Sequence, residues 1–159
     1  MSGIKASELR QYVIRPTLKA INLWSIAAEN LLLGTAAQES QLGHYLTQVK
    51  GPALGIYQIE PNTHKDVWKN YLKYQHELSD AISHLSSNRC TWEAKESELI
   101  TNLAYNTAIA RVIYYRVPEA LPDANDIAGL ANYWKQHYNT HLGKGKVKEF
   151  IKHYEEWVA

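Results

Sequence analysis

Little in this sequence can be cross-linked, chelated or inserted into a membrane. Only one of the 159 residues is a cysteine, Cys90, which excludes an intramolecular disulfide and a metal centre built on cysteine ligands. The seven histidines show no HExxH or comparable ligand spacing, so no metal and no other cofactor is expected. Net charge is +1, which leaves no basic footprint for nucleic acid and argues against a helical nucleic-acid-binding protein. Apolar runs such as Leu31-Leu32-Leu33 are far too short to span a bilayer, so no membrane insertion is expected. The start, Met1-Ser2-Gly3-Ile4-Lys5-Ala6, lacks the basic residues and apolar core of a secretory signal. The expectation is a chain made in the cytoplasm; a substrate outside would be reached by virion delivery, with virion proteins as partners, or by release through another factor.

What is abundant is aromatic and helical. Eleven Tyr and five Trp stand against a single Phe. Such rings pair a flat apolar face with a polar handle, useful for stacking on sugars and equally for packing at helix surfaces. Apolar residues recur at helical spacing nearly throughout, and alternating β-branched runs are almost absent. The pattern predicts one all-α domain over residues 1–159, without internal repeat or linker. Helices are expected at Ala6 to Ile14, ended by Pro16, and at Thr17 to Leu23. Another, capped by Ser25, spans Ile26 to Leu42, with Ile26, Leu33 and Ala37 inward and Gly43 as the left-handed stop. A minimal extended segment lies around 53–59. Beyond it, helices run from an Asn62 or Thr63 cap to Gln75, from Leu78 to Leu85, and as one long buried helix from Glu93 to Arg116. The last two run from an Asn125 cap to Tyr138 and from Val147 to Trp157. Lys144, Lys146 and Lys148 read as a solvated helix start.

Three segments carry the chemistry. Ala36-Ala37-Gln38-Glu39-Ser40 places a carboxylate at the C-terminal end of an apolar helix, where the helix dipole and desolvation both disfavour ionisation. A general acid for a glycosidic oxygen needs such a protonated carboxyl. Alone, the commoner use of a Glu there is solvent exposure. Gly51 to Thr63 is glycine-rich, so backbone can approach a ligand closely, and Tyr57 and Gln58 offer an apolar face and an amide. Asn102 to Thr107 sets amides and a phenol in an apolar helix, where each must find partners; they either pin neighbouring helices or line a cleft.

In order and spacing, Glu39-Ser40, then Gly55-Ile56-Tyr57-Gln58-Ile59-x-Pro61-x-Thr63, then Ala104-Tyr105-Asn106 resemble the soluble lytic transglycosylase family. That family shows a Glu-Ser pair, a Gly-Leu-Met-Gln-Ile-x-Pro-x-Thr stretch and an Ala-Tyr-Asn segment. The match covers about Leu31 to Val117. Tyr57 stands in place of the family's Met, Thr107-Ala108 departs from its small residue and Gly, and Val67 to Trp92 and the chain beyond Pro118 match nothing.

The resemblance implies a lysozyme-like fold and cleavage of the β-1,4 bond between N-acetylmuramic acid and N-acetylglucosamine in peptidoglycan. It implies Glu39 as the catalytic acid, Ser40 as support, Tyr57 and Gln58 in the substrate groove, Tyr105 hydrogen-bonded to the catalytic carboxyl, and Asn106 as the family's Asn. No second carboxylate occupies a family position; Glu60, before Pro61, is expected to face solvent or a cap. One carboxyl suffices if it protonates the leaving oxygen and then takes the proton of the muramyl 6-hydroxyl. Hydrolysis by the same acid, as in a lysozyme, and a catalytically weak glycan-binding virion module are the alternatives.

Overall fold

The computed structural model describes residues 3–87, 92–139 and 143–159, with the side chains of 92–94 left aside. Its regular structure is helical: α1 (Ala6–Leu9), α2 (Arg15–Ala20), α3 (Ile26–Ser40), α4 (Pro61–Asn70), α5 (His76–Leu85), α6 (Trp92–Thr101), α7 (Leu103–Tyr115), α8 (Ile127–Trp134) and α9 (Val147–Trp157). Extended structure is limited to two isolated bridges, Thr47 with Leu54 and Leu54 with Ile59. The chain is therefore all-α with a minimal extended piece at 53–59, and among the described residues no helix is long and apolar enough to cross a membrane.

α3 is the axis of the core. Leu31, Leu32, Leu33, Ala36 and Ala37 are all buried, so apolar residues face the core on every side of the helix and it must be wrapped. α7, α8 and α9 do the wrapping. Gly34 makes the closest of these approaches possible, because a Cβ there would lie inside the Phe150 ring of α9. Ser25 caps α3 by accepting the Ala28 N–H at 3.0 Å. Ile26, expected inward, is 55% exposed in the first turn, before α3 enters the core.

Several expected boundaries change. Pro16 does not end the first helix: a π-helical turn over Arg10–Ile14 joins α1 to α2, and Arg15 is itself helical. The wider turn accommodates a proline ring that a tight α-turn would set against the preceding carbonyls. The left-handed stop of α3 comes before Gly43, at Gln41 (φ 54°) and Leu42 (φ 58°), whose N–H groups bond the carbonyls of Ala37 and Ala36. The long helix divides at Asn102, whose side chain accepts the Tyr105 N–H at 3.0 Å and caps α7. Asp126, not Asn125, caps α8. The helix before α5 starts at Pro61 with Glu60 as its N-cap residue, and ends at Asn70 before a short 3₁₀ turn, Leu72–Tyr74. The sequence also reads Ser86-Ser87-Asn88 as a break after α5; Asn88 lies outside the described residues, as does Cys90.

Candidate active site

A cleft of about 950 Å³ opens at the C-terminal end of α3. Gln38 and Glu39 form part of its floor, the 48–60 loop one wall, and Tyr138, Asn139, Gly143, Lys144 and Gly145 the other. The volume falls within the range of roughly 300–1,000 Å³ common for ligand sites.

Glu39 is half-buried here, and burial raises its carboxyl to about pKa 7. The Trp134 indole N–H, which donates to Oε2 at 3.4 Å, favours the ionised form and holds the value down. Trp134 is fully buried at the end of α8. Below the carboxyl lies an aromatic bed: Tyr138 stacks on Tyr114 with centroids 5.1 Å apart, and the Tyr114 hydroxyl pairs with Thr35 Oγ1 at 2.7 Å. Burial, then the nearby Glu39 charge, pushes both phenols well above their ordinary value, so they stay protonated. Glu39 is thus poised to carry a proton near neutrality, whereas its neighbours cannot lose theirs.

The wall loop is held by groups from both earlier motif segments. The buried Ser40 hydroxyl donates to the Ile56 carbonyl at 2.6 Å and accepts the Gly43 N–H at 2.8 Å. Asn106, fully buried on α7, turns Oδ1 toward the Tyr57 N–H at 3.5 Å. Gly55 (φ 79°) sits so close to the end of α6 and the start of α7 that a Cβ would strike the Leu99 carbonyl and the Asn106 amide. Gln58 (φ 50°) then turns outward, with its Nε2 donating to the Gly55 carbonyl at 2.8 Å.

The structure therefore brings Glu39 and Gln58 into one cleft and puts the other four named residues behind it. Tyr57 is a correction: its ring is fully buried, its hydroxyl bonds Thr107 at 2.9 Å, and only its backbone carbonyl, accepting from Tyr138 Oη at 2.6 Å, reaches toward the site. Ser40 and Asn106 are likewise too buried to touch a substrate; they fasten the loop. Tyr105 does not bond Glu39. Its hydroxyl accepts from Trp68 Nε1 at 2.8 Å and lies 2.6 Å from His64 Nε2, tying α4 to α7. Trp N–H only donates, which leaves the phenol proton free for a neutral His64 Nε2. Burial first, then Lys95 and Lys65, lower His64 to about pKa 4, consistent with that assignment.

Sequence did not single out as site groups Tyr138, Lys144 and Glu60, which line the cleft, or the buried Trp134, which bonds Glu39 from behind it. Trp134 and Tyr138 are one helical turn apart, and that i,i+4 aromatic pair was their only signal. Lys144 faces the cleft rather than belonging to the helix start, where Lys146 is the N-cap residue of α9. Glu60 lines the cleft too, and its side chain makes no cap bond. Among the described residues no three His, Cys, Asp or Glu converge as a metal site. Compared with protein-family profiles, curated proteins and solved structures, the chain matches none.

Proposed function

We propose that this chain is a peptidoglycan-cleaving lytic transglycosylase with a lysozyme-like arrangement, Glu39 acting first as acid and then as base. The observation that carries the reading is a single carboxyl, raised to about pKa 7, at the floor of a cleft of about 950 Å³. A group of that pKa gives and takes a proton at neutral pH with comparable ease. Glu39 protonates the glycosidic oxygen between N-acetylmuramic acid and N-acetylglucosamine as the C–O bond breaks. The substrate's own N-acetyl group stabilises the cationic anomeric carbon. The Glu39 carboxylate then removes the proton of the muramyl 6-hydroxyl, whose oxygen closes on that carbon to give a 1,6-anhydro product. Intramolecular closure gains from proximity, worth roughly 7–11 kcal/mol in favourable cases. Gln58, at the wall, supplies an amide for N-acetyl or hydroxyl groups of the sugar, and Trp134 orients the carboxyl.

One observation favours a second reading. Glu60 faces the same cleft as Glu39, and hydrolytic glycosidases work with two carboxylates flanking the bond. In a muramidase Glu60 would serve the water or the cation. Digestion of purified sacculi followed by mass spectrometry separates the two: anhydro-muropeptides with full turnover in Glu60→Gln support the transglycosylase, and reducing ends with loss of turnover in that variant support the hydrolase. Binding without release of fragments would replace both by a glycan-binding module.

A further inference from the structure

A second cavity, of about 480 Å³, shares no lining residue with the Glu39 cleft. Its walls include Tyr71, Arg111, Tyr115, Arg116, Glu119 and Tyr133. Arg116 is paired with Asp66 at 2.6 Å and Glu119 with His137 at 3.1 Å. Arg111 is different. It is only 7% exposed, yet among the described residues it has no ion-pair partner.

Arg111 Nε donates to the Leu23 carbonyl at 3.1 Å, which uses one of five guanidinium N–H donors. The Tyr115 ring lies 5.4 Å from Cζ and covers one face. The four remaining donors have no hydrogen-bond acceptor among the described residues. The Arg111 terminal nitrogens are not among the sealed, unpartnered polar atoms, so they open to the cavity, where a largely buried charge without a counterion favours an anionic ligand. Burial lowers the guanidinium's pKa, while Tyr133 and Tyr115 oppose that fall, which puts both phenols near the charge.

We infer that this cavity binds a small organic carboxylate, held two-pronged by the Arg111 guanidinium with its apolar body against the rings of Tyr115, Tyr133 and Tyr71. A guanidinium fork fits a planar carboxylate in two parallel hydrogen bonds, and tyrosine rings accept an aromatic or acyl body. The volume suits a small molecule and not a polymer strand. The site stands apart from the proposed glycan chemistry, since none of its residues is in that cleft.

Benzoate is the probe, titrated into the full chain while the arginine Nε–H resonances are followed by NMR, with phosphate and chloride as comparisons. The expected result is saturable binding with a Kd on the order of 1 mM, about tenfold tighter than either inorganic anion. Arg111→Lys, which keeps the charge and loses the fork, weakens benzoate about tenfold. Ala120→Trp fills the cavity from an exposed wall position while leaving residue 111 an arginine, and abolishes binding even if Arg111→Lys fails to fold. Glu39→Gln leaves the affinity unchanged. Failure to saturate, equal affinity for phosphate or chloride, or undiminished benzoate binding in either folded variant overturns the inference.

Discussion

Trp134 donates its indole N–H to Glu39 across 3.4 Å, joining residues 95 positions apart in the chain. The bond is long. Because it favours the ionised carboxylate, Trp134→Phe raises Glu39 above about 7. Under the proposed function the acid works while protonated, so the basic limb of the pH–rate profile is expected to move to higher pH. The shift is about one unit at most, since a unit is about 1.36 kcal/mol and a hydrogen bond to a charged group is worth about 1.5–3 kcal/mol at good geometry. A basic limb that stays in place, or moves down, contradicts this role for Trp134.

Gly55→Ala tests the loop. At φ 79° an alanine is strained by roughly 1–2 kcal/mol, and its Cβ also meets the Leu99 carbonyl and the Asn106 amide. A loss of at least about 2 kcal/mol is expected, read as a fall in Tm of roughly 4–8 °C for a domain of this size. Under the proposed function turnover is expected to fall as well, because Gln58 is set by the same turn. An unchanged Tm would mean that the loop does not depend on this close approach.

These two contacts also separate what was legible in sequence from what was not. Local rules located the helical class, the Ser25 cap and the irregular 53–59 segment, since each depends on neighbours in the chain. Glu39 and Gln58 were named from the family resemblance, and both line the one cleft. Tyr57 looked like groove lining but points into the core: which way a side chain faces on a turned loop follows from the φ of Gly55 and Gln58, not from residue type. Tyr105 went to His64 and Trp68 because α4 supplies two polar ring nitrogens at its height. Trp134, Tyr138 and Lys144 come from the last third of the chain, where no motif guided the reading and only tertiary packing brings them to the site. Pro16 misled for a local reason, since a π turn keeps the path helical.

His64 gives the fold an acid-sensitive window. Its folded value of about 4 lies below the ordinary histidine value of 6.5, so the unfolded chain binds more protons between them. Stability is fully present above about 6.5 and declines as pH falls toward 4, by about 3 kcal/mol at 1.36 kcal/mol per unit. Urea unfolding of the wild type and of His64→Gln across that range checks it: the variant is less stable at pH 7 and its curve is flatter. Parallel curves would exclude His64 as the cause.

Glu29 adds a second, lower window. Burial raises its carboxyl, but bonds from Arg15, Trp24 and Arg10 outweigh that and hold it below the ordinary value. The fully buried carboxylate accepts from Arg10 at 2.6 Å, Arg15 at 2.7 and 2.9 Å, and Trp24 at 2.8 Å. Its contribution is present above the unfolded carboxylate value and disappears as pH falls through the depressed folded value. Glu29→Ala is expected to lose about 3 kcal/mol at pH 7, the lower end for breaking a buried pair, because both arginines can turn to solvent. A loss under about 1 kcal/mol would reduce the cluster to an ordinary surface ion pair.

The central claim is that Glu39 is the acid, and the most direct measurement is release of soluble muropeptides from purified sacculi by Glu39→Gln beside the wild type. The glutamine keeps the shape and still accepts the Trp134 N–H, so circular dichroism and Tm should stay close to wild type while release falls by about 10²–10⁴-fold, the usual worth of general acid–base catalysis. Release at the wild-type rate by a folded Glu39→Gln chain contradicts the account.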